Sequence, residues 1–252
     1  MSAALTYTRY ELIRTVRNRQ AFLFSLVFPL VMYFLLAGPN KNNHNFGGDA
    51  QHHTGLFAPL YYMTGLLAFG AMIAVMSGGA RIAAERKIGW NRLLRLTPLC
   101  PRSYLRGKIL VGYALAAVGI VLLYACGILM GVRMPFGDWV AMTALVLIAL
   151  VPFAAFGIGL GHLVNDDAMG PAMGGGVSLF AFLGGTWFPI TGNGGFAAFC
   201  KLLPSYWLVR AGNIGLGGGN PWHLEAWLVI AVWSAVMIAF AAWAYQRDTR
   251  RA

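Results

Sequence analysis

Six stretches of this chain stay apolar for about 17 to 25 residues with no charge near the middle, which is the length a helix needs to cross a hydrocarbon core about 30 Å thick. They are residues 21–37, 56–80, 109–132, 139–164, 168–190 and 224–245. A charge at the centre of such a run costs at least ~2.5 to 3.5 kcal/mol on insertion scales, so its absence is what spanning helices require. His162 and Glu225 lie near the ends of their runs. Barrel strands would alternate apolar with polar residues, and these runs do not. The first run, preceded by basic residues, is longer than the apolar core of a signal peptide, and no sequence typical of a soluble secreted domain follows it. The expected class is an all-α integral membrane protein with six transmembrane helices. Composition agrees: 11% of residues are charged, against roughly 25% in soluble domains.

The basic residues orient the spans, because Lys and Arg in short loops stay on the cytoplasmic side. Four precede the first run (Arg9, Arg14, Arg17, Arg19) and eight fall between the second and third (Arg81, Arg86, Lys87, Arg92, Arg95, Arg102, Arg106, Lys108). Three follow the last (Arg247, Arg250, Arg251), while Lys41, Arg133, Lys201 and Arg210 take the other side. Both termini are thereby expected in the cytoplasm of a multi-pass protein of the cell membrane. The net charge of +11 follows largely from this bias. It calls for no nucleic-acid partner, although anionic headgroups would attract the same residues. Cys100, Cys126 and Cys200 fall in a cytoplasmic, a membrane and an outer segment, without metal-binding spacing, and read as structural.

The loop "ARIAAERKIGWNRLLRLTPLCPRSYLRGK", residues 80–108, is more ordered than an orientation signal needs to be. A helix can run on to Lys87, with Glu85 one turn after Arg81 on the same face. Gly89 interrupts it, "NRLLRL" offers a second short helix, and Pro98 and Pro101 prevent a long one. Such a bent, charged projection can dock in the groove of a cytosolic partner or simply be a solvated loop.

The order of Glu85, Arg86, Gly89, a leucine-rich turn, Thr97, Pro98, Gly107 and Lys108 resembles the first cytoplasmic loop of type-2 ABC (ABC-2 type) transporter permeases, in their small drug and antibiotic efflux branch. "YELIRTVRNRQAFLFSLVFPLVMYFLL" is similar to that family's interfacial elbow helix and first span, and "GGTWFPI" followed by "LLPSYWLVRAGN" to its fifth span and re-entrant outer hairpin. The resemblance covers the whole chain. It implies one exporter transmembrane domain over 1–252, with an elbow at 1–20, a coupling loop at 81–108 and an outer re-entrant segment at 188–223. It further implies that the loop inserts into a separate cytosolic ABC ATPase subunit, that ATP and Mg belong to that subunit, and that a second copy or a homologous permease completes the pathway. In the elbow, Leu5, Leu12 and Val16 share a stripe bordered by Ile13, and Arg9 falls within it.

No motif in the chain makes it an ATPase. A phosphate-binding loop needs GxxxxGK[ST]; Gly107 and Lys108 are followed by Ile109, and Arg102 stands where the first glycine belongs. "GLGGGN" at 215–220 lacks the lysine. "GPAMGGG" at 170–176 places Gly170 and Gly174 at the spacing that lets two membrane helices approach closely. The sharpest polar cluster is "GHLVNDD" at 161–167: His162 and Asp166 are one helical turn apart, and Asp166 and Asp167 could act as an acid/base pair. The plainer reading is a helix cap. His44, His52, His53 and Asp49 lie in an Asn- and Gly-rich loop unsuited to fixed metal geometry.

The expected function is therefore the permease subunit of an ATP-driven exporter, not itself an enzyme, carrying drug-like or antibiotic compounds. A lipid or glycan exporter is the alternative, and a membrane-embedded enzyme using His162, Asp166 and Asp167 a more distant one. Contact with the ATPase is expected from Glu85, Arg86, Lys87, Gly89, Trp90 and Arg92. Tyr61, Tyr62, Met63, Phe180, Trp187 and Phe188 would suit an apolar cargo, or simply packing.

Overall fold

The computed structural model describes residues 3–18, 23–44, 57–90, 93, 97, 100–188, 190, 194–216 and 222–250. Every regular element among them is helical. α1 (Ala3–Arg17) is followed by a π-helical turn, Leu23–Val27, that leads into α2 (Phe28–Ala37). α3 (Ala58–Lys87), α4 (Pro101–Leu129), α5 (Phe136–Ala149), α6 (Val151–Leu163) and α7 (Asp166–Gly184) follow. The short α8 (Gly195–Lys201) and α9 (Pro204–Gly212) precede a 3₁₀ turn, Asn213–Leu216, and α10 (Leu224–Thr249).

Prolines mark several starts. Pro59, Pro101, Pro152 and Pro204 stand in the first turns of α3, α4, α6 and α9, where the missing N–H would have had no intrahelical partner. Pro152 also divides the fourth apolar run. It cannot donate to a carbonyl one turn back, so the helix resets at Leu150, whose N–H still reaches Val146 O at 3.0 Å while Ala154 N–H reaches Leu150 O at 3.0 Å.

Among the described residues, four helical stretches are long and apolar enough to cross a membrane: Ala58–Lys87, Arg102–Leu129, Phe136–Leu163 and Leu224–Thr249. The first apolar run appears as the shorter Ser25–Ala37. The fifth corresponds to α7, whose apolar character is diluted by Asp166, Asp167 and a run of glycines.

α3 is the axis of the molecule, buried along nearly its whole length and packed by α2, α4, α6, α7 and α9. It crosses α6 backbone against backbone. A methyl group added at Gly79 would overlap the carbonyl of Gly157, and one at Gly161 the carbonyl of Gly79. This is the close approach that small residues permit between membrane helices. α10 packs chiefly on α6 and leaves Leu228, Val232 and Val236 exposed, as α4 leaves Leu110 and Val121. An outer surface this apolar suits lipid rather than water.

α1 lies against α4 with its polar side inward. Glu11 and Thr15 are buried, whereas Leu5, Leu12, Ile13 and Val16 are exposed. A helix at the membrane interface can turn an apolar face outward in this way and keep its ionic side for the protein.

Candidate functional site

The C-terminal end of α3 carries Glu85, Arg86 and Lys87 in succession. Because successive helical residues are rotated by about 100°, each reaches a different set of neighbours.

Glu85 faces α1 and α4. Its Oε1 accepts from Lys108 Nζ at 2.6 Å and from Arg14 Nη1 at 2.7 Å, and its Oε2 from the Tyr104 hydroxyl at 2.6 Å. Lys108 Nζ also donates to Glu11 Oε1 at 2.6 Å. Arg81 Nε lies 3.0 Å from that same oxygen, in an ion pair too oblique to be a hydrogen bond, while its Nη1 donates to Ser77 Oγ at 3.2 Å. Glu85 and Lys108 have no exposed side-chain surface and Glu11 has 3%, whereas Arg14 is 49% exposed and rims the cluster. Taking an ion out of water costs several kcal/mol even after relaxation, so this arrangement is tolerable only because two carboxylates and two buried cations neutralise one another. Tyr7 packs on Tyr104 with ring centroids 5.7 Å apart. Burial first, then the nearby Glu11 and Glu85, pushes its hydroxyl pKa up, so it stays neutral.

Arg86 faces α6 and α10. Its Nη1 donates to the carbonyls of Gly161 at 3.0 Å and Val164 at 3.3 Å, and its Nε to Asp248 Oδ1 at 3.0 Å. Asp248 Oδ2 lies 2.8 Å from His162 Nδ1. Lys87 faces the start of α7, donating to Asp166 Oδ2 at 3.2 Å and Asp167 Oδ1 at 2.8 Å across an exposed gap. Beyond it, Ile88 N–H reaches Ala84 O, and Gly89 takes a left-handed conformation with φ 71° that favours glycine. Trp90 emerges exposed. Three consecutive side chains thus join the end of α3 to α1 and α4, to α6 and α10, and to α7.

Of the six residues expected to meet an ATPase, Glu85 and Arg86 are engaged inside the chain, Lys87 and Trp90 are exposed, Gly89 makes the turn, and Arg92 lies outside the described residues. Tyr61 is buried and donates to Gly185 O at 3.1 Å, and Met63 is buried in the core. Tyr62 is half-buried, with its ring edge against Tyr61. Phe180 packs edge-on against Phe153 and Phe156, Trp187 packs on Phe69, and Phe188 stands exposed. Tyr61 thereby ties α3 to the end of α7, while Phe180 and Trp187 pack within the chain.

His162 and Asp166 do not share a helix. Val164 is extended and Asn165 opens α7, so His162 turns to Asp248 while both aspartates turn to Lys87. Gly170 and Gly174 face open space within this chain; the close glycine contacts are those of Gly79, Gly157 and Gly161. His44 stacks on Phe57, and His52, His53 and Asp49 lie outside the described residues. Cys100, Cys126 and Cys200 are free thiols.

The sequence reading missed Glu11, Tyr104, Lys108 and Asp248 as site residues. A signal was present: the chain has only eight acidic residues, and five of them, Glu11, Glu85, Asp166, Asp167 and Asp248, form ion pairs at this one end. An acid in so basic and apolar a chain marks a place where a cation must be held.

A family model described as "ABC-2 type transporter" matches residues 3–216. A protein of Bacillus subtilis (strain 168) that carries the provisional name transport permease YvfS is 27% identical over 241 residues, covering 91% of this chain and 90% of its own.

Proposed function

The chain belongs to the ABC-2 type transporter family, and from that membership we propose that this membrane permease subunit serves an ATP-driven exporter of drug-like or antibiotic compounds. A lipid or glycan cargo is the second choice. ATP and Mg are handled by a separate cytosolic ABC ATPase subunit, and a second permease, identical or homologous, completes the pathway. The open glycines Gly170 and Gly174 on α7 offer that second permease a close approach. Six crossings of the cell membrane, with α1 as the interfacial elbow, residues 81–108 as the coupling loop and residues 188–223 as an outer re-entrant segment, put both termini in the cytoplasm. Of the 19 basic residues, 15 then lie on that side.

The observation that carries the coupling role is the ionic hub at the end of α3, where the 81–108 loop begins, which ties that end to five other helices. Closure of an ATPase pair against the loop would be felt by all of them together. Glu85 and Arg86 hold the base of the projection, Gly89 bends it, and Lys87, Trp90 and Arg92 meet the partner, with Trp90 as the apolar anchor.

Purification in mild detergent tests this. A chain carrying a nucleotide-binding P-loop should co-purify, its ATP hydrolysis should rise when the permease is present, and Trp90→Ala should weaken the association by roughly tenfold or more, as loss of a buried aromatic anchor does. A permease that purifies alone, with hydrolysis indifferent to Trp90, would sink the proposal.

A further inference from the structure

Asp248 lies in the last turn of α10, 162 positions along the chain from Arg86, which it contacts. α10 lies outside residues 3–216, the part of the chain matched by the family model. The two carboxylate oxygens of Asp248 are divided between two partners: Oδ1 accepts from Arg86 Nε at 3.0 Å, and Oδ2 is 2.8 Å from His162 Nδ1. An ionised carboxylate can only accept, so His162 presents Nδ1–H to it. The ring is held from the other direction by Tyr245, also on α10, edge to face at 5.3 Å and 87°.

The other side of the guanidinium is equally committed. Gly161 and Val164, whose carbonyls receive Arg86 Nη1, lie at the C-terminal end of α6, where the last carbonyls of a helix lack intrahelical partners. Arg86 therefore serves as the cap of α6, and Asp248 supplies the counter-charge that keeps it there. Side-chain exposure at the pair is 25% for Arg86 and 17% for Asp248, so water screens it only in part.

We infer that Asp248 is a positioning residue of the coupling element. By holding Arg86 on the end of α6, it sets where α3 stops and in which direction Gly89 and Trp90 leave the bundle. The inference rests on the coupling role proposed above.

The test uses the full chain in lipid nanodiscs. Asp248→Asn keeps the shape and one acceptor but removes the charge. Hydrogen exchange at the Ile88 and Gly89 amides, which donate to Ala84 O and Arg86 O, should rise about tenfold, with the middle of α3 and of α10 unchanged, as a local rather than a global opening requires. In a titration with the ATPase subunit, the half-saturating concentration should rise several-fold while the maximal stimulated rate is kept. A merely structural role would instead lower the maximal rate with the amount of folded permease. The double variant Arg86→Gln with Asp248→Asn should be no worse than the poorer single variant, since groups that act as a pair are not additive.

Unchanged exchange at Ile88 and Gly89 overturns the inference whatever the loop does. Faster exchange with an unchanged half-saturation, when Trp90→Ala shifts that value, overturns the positioning role and leaves the coupling role standing. If Trp90→Ala shifts nothing either, the coupling role falls and takes the inference with it.

Discussion

Lys108 has no contact with water, yet it carries an ammonium between two carboxylates, 2.6 Å from Glu11 and 2.6 Å from Glu85. Replacing it with methionine keeps most of the volume and leaves two buried acids short of a cation. Lys108→Met should therefore destabilise the fold by about 3–5 kcal/mol, the usual cost of breaking a buried pair from one side, read as a lower unfolding midpoint of the purified protein. Adding Glu85→Gln should recover part of the loss, because the partner then released, Arg14, is half exposed and can turn to water. The Lys87 pairs with Asp166 and Asp167 are a different case. Exposed ion pairs of this kind are screened by salt and add little to stability, so their value lies in orienting the turn between α6 and α7.

At the scale of elements, the decisive contact is the crossing of α3 and α6. Gly79, Gly157 and Gly161 bring two backbones together so closely that a β-carbon has no room. Gly157→Ala should cost about 1–3 kcal/mol or more, as overpacking does, whereas Gly137→Ala, where a β-carbon would meet no atom within 4 Å, should be nearly silent. Comparing the unfolding midpoints of the two variants checks this. The crossing also explains why the hub can join so many helices. With α3 and α6 locked along their length, the open end of α6 arrives beside Arg86, and α10, packed on α6, delivers Asp248 to the same place.

For the whole molecule, the six-crossing arrangement makes a direct prediction. If the proposed six crossings hold, reporter fusions after Ala252 and within residues 40–55 should give opposite signals, because that arrangement puts the first segment of chain after α2 and the end of the chain on opposite faces of the bilayer. Equal signals would remove the topology and with it the cytoplasmic position of the loop.

Helical class, membrane character and family resemblance were legible in the sequence, because each depends on local properties: the length of an apolar run, the backbone constraints of Pro59 or Pro101, the spacing of a motif. The continuation of α3 to Lys87 was legible for the same reason, and so was the bend at Gly89. The partners of the charges were not. Glu85 and Arg86 read as outward contacts because a sequence shows that residues are charged but not what faces them. Only the tertiary structure decided that Glu85 turns to Lys108, 23 positions away, and Arg86 to Asp248, 162 positions away. Likewise the glycines of 170–176 stood out as a motif, while the packing fell to Gly79, Gly157 and Gly161 on two different helices. The physical reason is the same in both cases. Propensity and hydropathy are properties of one segment, whereas the neutralisation of a buried charge and the closeness of two backbones are properties of a pair, and the pairing exists only once α1, α3, α4, α6 and α10 have packed.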